Sequence, residues 1–132
     1  MPDYDELRRK RTNGLNYDVS TDDIIGFFQR LETRCRFALS EIGHDRVTIL
    51  FETLPDELDE LAVEIYHLCP DTVDQGFGVL GEQIEMIEES DEEIPEDLQA
   101  LVEGIDLTDD DYGIEVMARS IEITREIQLW WD

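Results

Sequence analysis

The chain has 132 residues, a length that favours one domain around one core, and its 41% hydrophobic content argues against wholesale disorder. A net charge of −25, from 35 acids and 10 bases, strongly disfavours binding to nucleic acid or to an anionic membrane. It fits a basic partner, a salt-rich cytoplasm or plain solubility.

The bases gather at the head. Arg8, Arg9, Lys10 and Arg11 precede Thr12, and residues 12–132 then carry 32 acids against six bases. Residues 1–13 read as a polar leader, expected to be mobile, with a helical turn at Tyr4–Arg11. Residues 14–132 read as a single α+β domain. The leader lacks the apolar stretch of a signal peptide, and no run reaches the roughly 18–20 apolar residues of a membrane span. The expected location is cytoplasmic, with Cys35 and Cys69 reduced.

Leu15, Tyr17 and Val19 alternate with polar neighbours, a short strand signal. Ser20 or Thr21 then caps a helix over Thr21–Arg34, with Asp22 and Asp23 at its positive end. Ile24, Ile25, Phe27, Phe28 and Leu31 form its apolar face. Arg36–Ile42 and Arg46–Glu52 flank Gly43 and read as a β-hairpin. In the second strand Val47, Ile49 and Phe51 face one way, and Thr48, Leu50 and Glu52 the other.

Thr53 or Leu54 before Pro55 predicts the start of the next helix. Leu58, Leu61, Ala62, Ile65 and Leu68 give it one apolar stripe, and Pro70 stops it. A glycine-punctuated loop follows to Gly78. Beyond it, an acidic helical insertion is expected over about residues 79–112. Its first helix runs to about Glu89 with Glu82, Glu85, Glu88 and Glu89 outward, and a short helix from Pro95 ends at Gly104. Thr108 is placed as the cap of a last helix, with Asp109, Asp110 and Asp111 in its first turn and Ile114, Met117, Ala118 and Ile121 on its face. Ile127–Trp131 closes as a strand. The order β-α-β-β-α, insertion, β is ferredoxin-like: a small antiparallel sheet covered by helices, with the last strand beside the one at Leu15–Val19; without that first strand, a three-stranded sheet with the same helices remains.

Cys69-Pro70-Asp71, Gln75-Gly76 and the closing Leu129-Trp130-Trp131-Asp132 resemble motifs of a bacterial family, the domain of unknown function 4253. The resemblance covers Asp22–Gly78 and Gly113–Asp132, with the acidic helices as a departure between them. It implies a shared fold. It implies no activity and carries over no catalytic residue.

His67, Cys69, Asp71 and Asp74 are residue types for a metal site or a nucleophile with its base. His67 and Cys69, two apart on a helix end, face different directions, so the structural reading is favoured: Cys69 a small buried hydrophobe, Asp71 a cap. One of Trp130 and Trp131 should enter the core and the other should not. Asp106–Glu115 fails as a calcium loop, since its sixth residue is Asp111 and its twelfth position is Met117. No GxGxxG, P-loop, GxSxG or HExxH occurs.

The reading is therefore a non-enzymatic interaction domain, inhibitor- or immunity-like, with no cofactor and no metal. It would meet a basic protein through its acidic helices, as a monomer or a homodimer. The alternatives are a salt-adapted housekeeping domain and a small-molecule or metal enzyme centred on Cys69–Gln75. Any site is expected where the Gln75-Gly76 loop meets the terminal strand, with His67, Cys69, Asp71, Asp74, Trp130 and Trp131 as candidates.

Overall fold

A computed structural model describes residues 4–14, 18–74 and 76–131. Three strands form one antiparallel sheet in the order β1 (Phe37–Ser40), β2 (Arg46–Phe51), β3 (Glu126–Trp130). The hairpin aligns Leu39 with Ile49, and β3 aligns Leu129 with Val47. Side chains alternate across the sheet, so Phe37, Val47, Ile49, Phe51, Ile127 and Leu129 are buried on one face. Helix α2 (Thr21–Leu31) covers that face through Phe28, whose ring lies 5.8 Å from that of Phe37. The α+β class is the one the sequence indicates.

Helix α2 begins as expected. Ser20 accepts from the Asp23 N–H, and Asp23 accepts from the Ser20 N–H, a reciprocal capping box. The leader is more closely tied to the fold than expected. Its helix α1 (Asp5–Lys10) buries Leu7 completely, and Tyr4 stacks on Phe28 and donates to Glu32. Thr12 Oγ1 donates to Gly43 O at 2.6 Å and Asn13 N to His44 O at 3.0 Å, tying the head to the hairpin turn. Two apolar residues three apart on one helical face supply the anchor that the charged run masks.

The ferredoxin-like pairing does not form among the described residues. Residues 15–17 of the expected first strand lie outside them. Gly14 and Val19 close an isolated bridge on each other (2.8 and 3.1 Å), so the backbone groups of these two residues are used locally. The terminal strand pairs directly with β2 instead.

Helix α3 (Leu58–Leu68) starts later than Pro55 suggests. Thr53, one of the two residues expected to open it, accepts from Arg36 N at 2.8 Å and fastens the chain to the start of β1 instead. Its buried Leu61, Ala62 and Ile65 share one cluster with Met117, Ala118 and Ile121 of the last helix, α7 (Tyr112–Thr124). That helix also starts late. Thr108 donates both N–H and Oγ1–H to Asp106 Oδ1 (2.9 and 2.6 Å), and Asp111 N donates to Asp109 Oδ1 at 2.9 Å. These local side-chain turns occupy the groups that would have capped a helix at Thr108.

Between α3 and α7 the chain makes a short helix α4 (Asp71–Asp74), a 3-10 turn at Phe77–Val79, and helices α5 (Leu80–Glu89) and α6 (Glu96–Val102). The expected loop after Cys69 is thus largely helical. Leu80 and Ile84 bury one side of α5, whereas α6 has no buried residue. Both α5 and α6 are held by polar ties. Arg119 Nη1 donates to Ala100 O and Glu103 O (3.0 and 3.1 Å), carbonyls at the negative end of α6. Tyr112 donates to Gly78 O and accepts from Gly81 N at 3.0 Å, joining the starts of α7 and α5.

Candidate functional site

The end of α3 and the end of β3 are locked together. Cys69, before Pro70, leaves the helical region at φ −140° and ψ 78°. Its buried thiol donates to Trp130 O at 2.7 Å, and Trp131 Nε1 donates to Leu68 O at 2.9 Å. The Trp131 indole is buried and lies over Gly14, where any side chain would collide with the ring. Burial is the main cause that pushes the Cys69 thiol up to about 12. Such a thiol stays protonated at neutral pH and makes a poor nucleophile or metal ligand.

Other candidate residues scatter around this latch. His67 is exposed on the last turn of α3, its ring tilted against Tyr66 at 6.1 Å. Asp71 is buried in the first turn of α4, and Asp74 is exposed and accepts from Tyr66 OH at 3.3 Å. Gln75 lies outside the described residues. Among the described residues, no three His, Cys, Asp or Glu side chains group as a metal set would.

Gly76 and Trp130 do come together. A Cβ on Gly76 would lie 3.2 Å from Trp130 Cη2 and 2.5 Å from Thr72 O, so only glycine lets the backbone sit against the indole. Trp130 is half-buried, and with Gly76 it borders a cleft of about 680 Å³ on the sheet face opposite α2. The floor is the outward row Ser40, Thr48 and Gln128, which the strand register sets side by side. Thr48 donates to Glu41 Oε2 at 3.0 Å. Residues of α5, α6 and α7 close the other sides, including Leu80, Leu101 and Thr124. Of these lining residues, the sequence reading named only Gly76 and Trp130 as site candidates. Alternation in β2 already turned Thr48 and Leu50 outward, and the same rule applied to β3 would have added Gln128.

The acidic residues form a separate feature. Glu82, Glu85, Glu88 and Glu89 are exposed along α5, and Asp109, Asp110 and Asp111 are exposed ahead of α7. Residues 79–112 contain 14 acids and no base, and every one of those acids is exposed. The acidic surface continues around Asp56, Glu57, Asp59, Glu60, Glu115 and Glu122, which line a groove of about 760 Å³ with Arg119. There a hydrogen bond with Glu57, and the charge of that neighbour, raise the Glu60 carboxyl above its ordinary value.

No helix among the described residues is long and apolar enough to cross a membrane. No curated protein and no solved structure matches the chain. One family model matches residues 3–132, a span that includes both the leader and the acidic helices. By that match over almost its whole length, the chain belongs to the domain of unknown function 4253 family.

Proposed function

We propose that this protein is an interaction module that meets a basic protein through its acidic helices, in the manner of an inhibitor or immunity protein. The observation that carries this reading is the segment 79–112, with 14 exposed carboxylates and no base to neutralise them. A surface of one sign steers a cationic partner toward it and raises the association rate. The buried Cys69 thiol argues against a catalytic role for the loop that follows α3.

The test is calorimetric titration with an arginine-rich peptide at several salt concentrations. Affinity should fall steeply with salt, and replacing Glu82, Glu85, Glu88 and Glu89 by Gln should weaken binding by about tenfold or more at low salt. Equal affinity of the wild-type and substituted chains would count against the reading. A chain whose charge serves only solvation would instead unfold at about 0.01 M salt, where screening reaches only beyond about 30 Å, and refold near 1 M.

A further inference from the structure

The cleft over the outer sheet face is chemically distinct from the acidic helices. Its lining combines one half-buried indole, Trp130, with the Thr48 hydroxyl, the Gln128 amide and two carboxylates, Glu41 and Glu126. No lysine, arginine or histidine is among the described residues that line it. Arg46 is the cross-strand partner of Trp130. Its side chain folds over Gly43, within 3.9 Å of Asp45 Oδ1, and among the described residues no ion pair joins Glu41 or Glu126.

We propose that this cleft binds a small organic cation, an amine carrying an apolar body. Its volume of about 680 Å³ lies within the usual small-molecule range of roughly 300–1,000 Å³. The indole face attracts an ammonium group through its negative quadrupole, and a carboxylate beside it adds a charge-assisted hydrogen bond. Thr48 fixes Glu41 by donating to Oε2 at 3.0 Å, so that carboxylate is held in place before a ligand arrives. Thr48 pairs with Gln128, which places it one strand and two residues from Glu126, roughly 8 Å by strand spacing. With the ammonium held at Trp130 and Glu41, the apolar body extends toward Glu126 over Leu50, a leucine 38% exposed on the cleft floor. A neutral ligand such as a sugar would also stack on Trp130. It would, however, desolvate Glu41 and Glu126 without supplying the countercharge that offsets that cost.

The proposal does not draw on the carboxylates of α5 and α6, which wall the cleft with Leu80 and Leu101, and it is tested separately. Titrate the chain with phenethylammonium and with 2-phenylethanol, its neutral isostere, following tryptophan fluorescence and heat. Phenethylammonium should bind saturably and about tenfold tighter than the alcohol. Glu41→Gln should weaken it about fivefold, whereas Asp22→Asn, in the first turn of α2 beyond the other sheet face, should not. Trp130→Leu keeps the backbone carbonyl that Cys69 bonds and removes the ring, and it should also weaken binding. The proposal is overturned by absence of saturable phenethylammonium binding, by equal affinity for the alcohol, or by equal losses in Glu41→Gln and Asp22→Asn.

Discussion

The Cys69 thiol donates to Trp130 O at 2.7 Å, and its pKa is pushed up to about 12 from an ordinary 9.0. A thiol whose folded pKa is raised favours the neutral form, so its contribution to stability is complete below about pH 9 and is lost as pH rises from there toward 12. Cys69→Ala should lower stability at neutral pH by about 1–2 kcal/mol, through the lost hydrogen bond and packing, and should flatten part of the alkaline decline. Urea midpoints measured on both chains from neutral to alkaline pH check this. Tyr4 and Cys35, also raised chiefly by burial, keep the remaining slope. An unchanged slope would mean that Cys69 is not the titrating group. Cys69-Pro70 as a helix stop was legible from sequence because proline restricts the residue before it. Its bond to Trp130, 61 residues away, was not, because local chemistry carries no sign of a partner that distant. The two motifs pair as a structural latch, and among the described candidate residues only Gly76 and Trp130 reach the cleft.

At the scale of elements, periodicity located α2, α3, α5 and the hairpin, and misplaced the starts of α3 and α7. Both errors have one cause. Thr53 and Thr108 have the chemistry of caps, and each is engaged elsewhere, Thr53 by Arg36 N and Thr108 by Asp106. The three-stranded alternative is the sheet that the described residues form, because alternation alone does not say which strand a terminal segment joins. The start of α7 depends on close backbone approach: a Cβ on Gly113 would lie 2.8 Å from Gly78 Cα. Gly113→Ala should therefore destabilise the chain by about 1–3 kcal/mol despite its better helix propensity, seen as a lower urea midpoint. The acidic helix α6 rests on Arg119 rather than on buried apolar area. Arg119→Ala should raise amide hydrogen exchange across 96–102 while leaving β2 protected. Equal acceleration in both would show that α6 and the sheet open as one unit.

Over the whole molecule, charge and core act separately. Four ion pairs join described residues, Arg8–Asp5, Arg9–Glu6, Arg34–Glu64 and Arg46–Asp45, and all are substantially solvent-exposed, worth about 0–1 kcal/mol each. Stability rests on the cluster formed by α2, the inner sheet face, α3 and α7, while a net charge of −25 opposes compaction. The melting temperature should accordingly rise with added salt. The same charge is the basis of the proposed interaction, and its location decides between recognition and general solvation. The most direct measurement is an amide chemical-shift map of the chain titrated with an arginine-rich peptide. Recognition through the acidic helices predicts saturable shifts concentrated in residues 79–112, abolished by salt. Shifts spread evenly over acids throughout the chain, including Asp22 and Asp23 on α2, would contradict it.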